Sequence, residues 1–302
     1  MVMAARKKNK IKASFGRRVF CFFNYTFFAI LAFAMLAPIL NLIAKSVSSE
    51  AAVLSGEVGL LPNFKELQFD TYRIVIENKS FIIGLKNTVL VTILGSFSSL
   101  FVTACAAYAL SKEYLRARKA LIVLCIFIMI FSGGLIPTYM VVDKLRLTNT
   151  FTVLWILGAF NVYNMLILKS NFESISSELE ESAMIDGAGH LTIFFKIYLP
   201  LTKATLAVIT LFSAVGYWNN FFTSLIYTSK PQLKTLQLVL KEIIFSVSDI
   251  FLNLYGGQSA GEVTAQSTVA ACVVVATIPI LLVYPFLQKH FTKGVMTGAV
   301  KG

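Results

Sequence analysis

The segment Glu180–Pro200, EESAMIDGAGHLTIFFKIYLP, holds the residues best suited to acting on another molecule. The chemistry they suit is docking against a partner, since acidic side chains sit beside glycines with no nucleophile–base pairing. Ser177-x-x-Glu180 has the capping-box spacing, in which the hydroxyl meets the amide of residue 180 and the carboxylate returns to Ser177. Phe172, Ile175, Leu179 and Ala183 give an apolar side to such a helix, with Glu173, Glu178 and Glu181 on the polar one. Gly187 and Gly189 are expected to end it, because glycine adopts the left-handed conformation at low cost. His190–Leu199 is apolar again, and Pro200 suits the start of a further helix. The expected product is a helix, a tight turn and a short helix: a rigid knob. An acidic amphipathic loop could instead lie on a lipid surface, but interfacial helices carry Lys and Arg on their polar face. Ser170–Gly189 has five acids and neither Lys nor Arg, which favours a protein partner.

Catalytic alternatives are poorly supplied. The two histidines, His190 and His290, lack HExxH spacing, and no GxxxxGK[ST] phosphate loop occurs. No catalytic residue, metal ligand or cofactor site is therefore assigned. Uncharged polar and aromatic residues are a second candidate set: Trp155, Asn161, Tyr163 and Asn164 in one apolar stretch, Tyr217, Trp218, Asn219 and Asn220 in another. Trp and Tyr near the end of a membrane span are commonly interface anchors. Asn amides and aromatic faces could equally line a route for a polyhydroxylated solute. Of these, Asn161, Asn164, Tyr217, Trp218, Asn219 and Asn220 are the candidate pathway residues.

The elements that must hold these residues are membrane helices. The chain is 57% hydrophobic and only 14% charged, with mean hydropathy +0.75; soluble domains carry about 25% charged residues. Six windows reach the roughly 20 apolar residues needed to cross a bilayer: Val19–Ala44, Asn87–Leu110, Ala120–Tyr139, Thr150–Leu168, Ala204–Thr223 and Thr268–Gln288. None contains Lys, Arg, Asp or Glu, although the chain has 27 basic and 15 acidic residues. A soluble helical core does not sort its charges this way.

Basic residues set the expected orientation. With the N-terminus inside, cytoplasmic segments hold 17 of them and external segments 10, and the short loop Ser111–Lys119 alone has four. The N-in, C-in topology puts Glu180–Pro200 in the cytoplasm. The first window is too long for a signal-peptide core and no small-x-small cleavage site follows closely, so it is read as an uncleaved helix. A net charge of +12 invites a nucleic-acid reading. The basic residues cluster at membrane edges instead, where anionic lipid explains them. Cys21, Cys105, Cys125 and Cys272 fall in apolar windows without metal-ligand spacing and read as packed thiols.

The expected organisation is a basic tail (1–18), a first span (19–44), an external segment (45–86) with a helix near Asp70–Asn78, a five-helix core (87–288) containing loop 170–200, and a tail (289–302). Gly95, Ser99, Thr103 and Ala107 form an i+4 stripe, readable as a tight helix–helix seam or as a pore-lining face. Ser132-Gly133-Gly134 with Pro137 weakens the third window, as an end-of-helix kink or as a broken pathway element. Leu233, Leu236, Leu240, Ile243 and Ile244 recur at helical spacing in the last external segment, before a turn at Tyr255-Gly256-Gly257.

Glu181-Ser182-Ala183-Met184-Ile185-Asp186-Gly187-Ala188, followed by Ile197, Leu199 and Pro200, resembles the EAA loop of ABC-importer permeases. The family pattern is roughly E-A-A-x-x-D-G-A and then I-x-L-P, and Ser182 is its one departure in the core. Similarity extends from roughly Gly84 onward. The ending Lys293–Gly302 looks like that of maltose-type sugar permeases, and Ser132–Pro137 with this tail most resembles the subgroup for aldouronate or complex polysaccharide uptake.

The resemblance implies an all-α, six-helix type I importer permease in the bacterial plasma membrane. It implies a second permease subunit, two cytoplasmic ABC ATPase subunits that use ATP, and an extracytoplasmic solute-binding lipoprotein, all amid membrane lipid and without nucleic acid. By the same analogy, Glu180, Glu181, Ser182, Ala183, Asp186, Gly187, Ala188, Gly189 and Pro200 form the ATPase-coupling loop, with Glu181 making polar contact and Gly187 permitting close approach. The rival is an ion-coupled secondary transporter, which usually places charged groups within the membrane; a membrane-embedded enzyme is a further alternative.

Overall fold

The computed structural model describes residues 14–64, 67–255 and 266–299, with side chains described for all of these except 50, 54, 246–255 and 283–299. The basic run from Arg6 to Lys12, the expected turn at Gly256-Gly257 and residues 300–302 lie outside it. Among the described residues every regular element is helical. Two long apolar helices, α1 (Phe15–Ser46) and α4 (Lys79–Ser111), are each able to cross a membrane by length and hydropathy, and there are up to four spans if each bent helix pair counts as one.

Between them lie α2 (Glu50–Leu54) and α3 (Asp70–Glu77), the latter where the external helix was expected. Asn78 ends α3 and caps α4, its side-chain oxygen accepting from the Phe81 amide at 3.0 Å. The small residues of α4 decide its packing. Gly95, Ser99, Thr103 and Ala107 are all buried where α4 meets α8 (Val162–Glu173) and α12 (Lys203–Trp218). The stripe is thus a helix–helix seam. A Cβ at Gly95 would lie 2.6 Å from the Tyr217 ring, so only glycine admits this aromatic knob. Ser99 and Ser213 hydroxyls face each other across the seam at 3.3 Å.

Three of the expected spans are interrupted rather than continuous. The third window becomes α5 (Arg118–Ile130) and α6 (Leu135–Lys144), set at 114°. Gly134 at φ +85° makes that corner, a conformation disfavoured for other residues. The fourth becomes α7 (Val153–Ile156) and α8, broken where Gly158 leaves room for the Tyr217 hydroxyl. The fifth stops at Trp218 and restarts as α13 (Phe222–Tyr227). Irregular backbone at membrane depth survives only against protein or a water-lined cavity. Here Asn161 caps α8 and Asn220 accepts from the Thr223 amide in the first turn of α13.

A 3-10 turn at Pro231–Leu233 precedes α14 (Leu236–Tyr255), so Leu233 lies ahead of the expected helix. Leu236 donates its amide to the Thr88 hydroxyl at 2.8 Å and packs, with Leu240, beside Phe81 and Trp218. Finally α15 (Gln266–Ala299) continues as one helix through most of the segment expected to be a tail.

Candidate functional site

Loop 170–200 folds into a compact knob, but not by the expected cap. Ser176, one residue earlier, caps α9 (Ser177–Ile185) by accepting from the Glu178 amide at 3.3 Å. Glu180 does not turn back to Ser177. It points inward, with only 8% of its surface exposed. Its carboxylate takes the Lys112 ammonium at 2.5 Å, the Tyr198 hydroxyl at 2.7 Å and the Tyr114 hydroxyl at 3.3 Å. The ammonium also lies over the rings of Tyr198 (3.7 Å) and Tyr108 (4.4 Å). A charge this far from water is tolerable only when paired and hydrogen-bonded. Burial alone would push the Glu180 carboxyl up, yet Lys112 and the tyrosine hydroxyls outweigh it and hold it below its ordinary value. Burial and then the Glu180 carboxylate push the Tyr198 phenol well up, so it stays a donor.

A second ionic knot ties the base of the knob. Glu173, at the end of α8, accepts from Lys169 at 2.6 Å and from Arg118. Arg118 also donates to the Leu110 carbonyl at 2.9 Å, at the end of α4. Burial raises the Glu173 carboxyl, but the two cations overcome that and leave it below its ordinary value.

The turn after α9 follows from one glycine. The Gly187 amide bonds to the Met184 carbonyl at 3.0 Å and the Ala188 amide to Ala183 at 2.9 Å, the paired bonds of a Schellman ending. Gly187 has φ +82°, whereas Gly189 is extended (φ −77°) and simply precedes α10 (His190–Ile193). The expectation that both glycines terminate the helix thus holds for Gly187 alone. Pro200 does not open a fresh straight helix either. It sits in the short α11 (Leu199–Leu201), after a π-helical turn at Phe194–Tyr198, and an 83° bend leads into α12. Proline clashes with the carbonyl four residues back, and widening the preceding turn relieves this.

The expected docking set therefore splits in two. Glu181, Ser182, Asp186, Gly187, Gly189 and Pro200 are exposed, while Ala183 and Ala188 are half-buried against the inner core with Ile175 and Phe172. Glu180 is internal. Leu179, assigned to the apolar inner side, is half exposed, and Ile185 (87%) and Leu191 (74%) stand out from the surface. The exposed tip is thus acidic and apolar together. His190 is exposed beside Tyr114, and no group able to hold a metal occurs among the described residues.

The candidate pathway residues also separate. Asn161 caps α8 by accepting from the Asn164 amide at 3.0 Å, and Asn164 is buried. Tyr217 is buried, donates to the Trp155 carbonyl at 2.8 Å and fills the space left by Gly95 and Gly158. Asn220 accepts from the Thr223 amide at 3.1 Å, just ahead of α13. Trp218 and Asn219 face a cavity of about 590 Å³ between α12, α14 and α15.

Lys112, Tyr108, Tyr114 and Tyr198 had no motif to mark them. Lys112 counted only as one of four basic residues in a short loop. The available signal was the register of Glu180, three residues before the inward Ala183, which puts it on the same side of the helix.

The chain matches, over residues 1–297, the family described as the inner membrane component of binding-protein-dependent transport systems. It is 39% identical to the polygalacturonan/rhamnogalacturonan transport system permease protein YtcP of Bacillus subtilis (strain 168), covering 94% of this chain and 99% of that protein. Protein LplC of the same organism is 38% identical, over 94% of this chain and 96% of its own length. A crystal structure of a bacterial ABC transporter involved in the import of the acidic polysaccharide alginate contains a chain 34% identical, with TM-score 0.83. That match covers 93% of this chain and 100% of that one. The likeness spans the whole helical core and the knob, which sets aside both the ion-coupled and the enzymatic alternatives. The chain belongs to the binding-protein-dependent transport system inner membrane components, as a permease subunit of an ABC importer whose ATPase resides in separate subunits.

Proposed function

We propose that this subunit passes a uronate-bearing oligosaccharide inward by alternating access, paired with a second permease and fed by a solute-binding lipoprotein. Its N- and C-termini face the cytoplasm, and the 170–200 knob docks on an ATPase subunit. The solute class follows the acidic polysaccharides named for the relatives above. The observation that carries the mechanical reading is the buried Lys112–Glu180 pair. Lys112 continues α4 and Tyr198 belongs to the arm leading into α12, so one carboxylate ties α9 to both helices. Those helices share the small-residue seam that ends near Tyr217 and the cavity. A push on the exposed tip is thereby transmitted to the helices instead of being lost in the loop. Coupling of this kind requires a ligand, here the ATPase, with different interaction energies in the two states. Glu181, Ser182 and Asp186 offer polar contacts, and Ile185 and Leu191 offer apolar ones, all free of the subunit's own core.

The test uses the complete importer in proteoliposomes. Glu181→Lys is expected to abolish solute uptake while ATP hydrolysis persists and membrane insertion is unchanged. Normal solute-stimulated hydrolysis and uptake in that variant would remove the coupling role. Uptake without any ATPase subunit would remove the whole reading.

A further inference from the structure

The cavity between α12, α14 and α15 is lined by Trp218, Asn219, Gln237, Lys241 and Thr277 among aliphatic side chains. Its volume, about 590 Å³, falls within the range of small-molecule sites, about 300–1,000 Å³. Among the described residues, Lys241 is the only charged one in its lining. The adjacent Glu242 does not neutralise it, because both Glu242 oxygens take Lys234, at 2.7 and 2.8 Å. Among the described residues Lys241 has no carboxylate partner. Its ammonium rests instead beside the rings of Phe221 (5.1 Å) and Phe245 (5.6 Å). The side-chain amides of Asn219 and Gln237 likewise make no hydrogen bond among the described residues, while Thr277 spends its hydroxyl on the Val273 carbonyl at 2.7 Å.

We infer that this cavity is a solute subsite in which Lys241 reads a uronate carboxylate while Asn219 and Gln237 hold sugar hydroxyls against Trp218. The inference rests on the acidic-oligosaccharide reading above and adds the residues that would make it selective. An ammonium beside aromatic faces, with no carboxylate on it among the described residues, can take a counter-ion, which a hexuronate supplies and a neutral hexose does not. Two amides with open donors and acceptors match ring hydroxyls, and the small exposed part of Trp218 borders them. The other anion able to meet Lys241 is a lipid phosphate. The amides, which have no partner among the described residues, and the concave wall favour the sugar.

The complete importer is reconstituted in phosphatidylcholine vesicles, with and without phosphatidylglycerol, and uptake of trigalacturonate is compared with that of its methyl ester. The same binding protein serves every arm, so its own preference cancels between variants. Lys241→Gln is expected to reduce the acid-over-ester preference about tenfold, the scale of one lost charge-assisted hydrogen bond. Uptake of the ester should fall far less than that of the acid, and Lys241→Arg should retain the preference. An unaltered preference in Lys241→Gln, or an equal fall for both solutes, overturns the subsite. A defect that appears only with phosphatidylglycerol assigns Lys241 to lipid and also overturns it. Transport of neither solute by the unsubstituted importer fails the solute reading itself, a result distinct from any of these.

Discussion

Lys112 and Lys241 both lie over aromatic rings, at opposite ends of α4, and differ in what faces them. Lys112 follows the last turn of α4, and Lys241 belongs to the helix whose first residue, Leu236, packs on Gly84 near the start of α4. The first is 6% exposed and has its carboxylate inside the fold. The second lines a cavity, with the acid adjacent in the chain, Glu242, engaged by Lys234. A cation whose partner is built in fixes geometry; a cation left without one can select a ligand. The same residue type thus serves rigidity at one end and recognition at the other.

Removing the partner is the most direct way to break this contrast. Lys112→Met leaves Glu180 buried without a counter-charge and is expected to cost about 3–5 kcal/mol. Thermal unfolding of the purified complex would report it. Adding Glu180→Met should return most of that loss, because an apolar pair of similar volume needs no charge compensation. A double variant as unstable as the single one would show that the pair matters by shape and not by charge.

Acid should have a smaller effect, since a protonated Glu180 still hydrogen-bonds to its neighbours. Its carboxyl is held below the ordinary value in the folded chain. The stabilisation is therefore complete above the unfolded carboxyl pKa, about 4.3, and is lost as pH falls through the lowered folded value. Glu173 behaves in the same direction. Glu180→Gln should therefore flatten the acid limb of the stability profile only in part; an unchanged limb would mean that Glu180 does not titrate with folding.

Lys241→Met gives the smallest expected change in stability, about 0.5–1 kcal/mol for a cation–ring contact. No buried acid is stranded by it among the described residues. A loss comparable to that of Lys112→Met would erase the distinction between the two lysines and point to a structural role at the cavity.

Much of the site was legible in residue order, because docking motifs are local. Glu181, Ser182, Asp186 and Gly187 are exposed within one short helix and its turn, and with Ala183, Ala188, Ile197, Leu199 and Pro200 they form the pattern that carried the family resemblance. The inward course of Glu180 was not legible. A capping box and a buried ion pair use the same residue, and the choice rests on Lys112, 68 positions away. Tyr217 offers a parallel case: by composition it suits an interface anchor or a sugar route, and by packing it fills the space above two glycines.

The sequence by itself determined that the chain is a membrane protein, since charge exclusion from apolar windows is a solvation rule that acts on each segment separately. It also marked the small-residue stripe of α4 as a candidate seam, because small residues at i+4 are the local condition for close helix approach; packing against α8 and α12 chose that over a pore-lining face. Only the tertiary structure decided where the apolar windows break, which acid is internal and which cavity-lining lysine has no carboxylate partner among the described residues. Those outcomes depend on groups distant in the chain meeting in a low-dielectric interior, where pairing or its absence outweighs local preference.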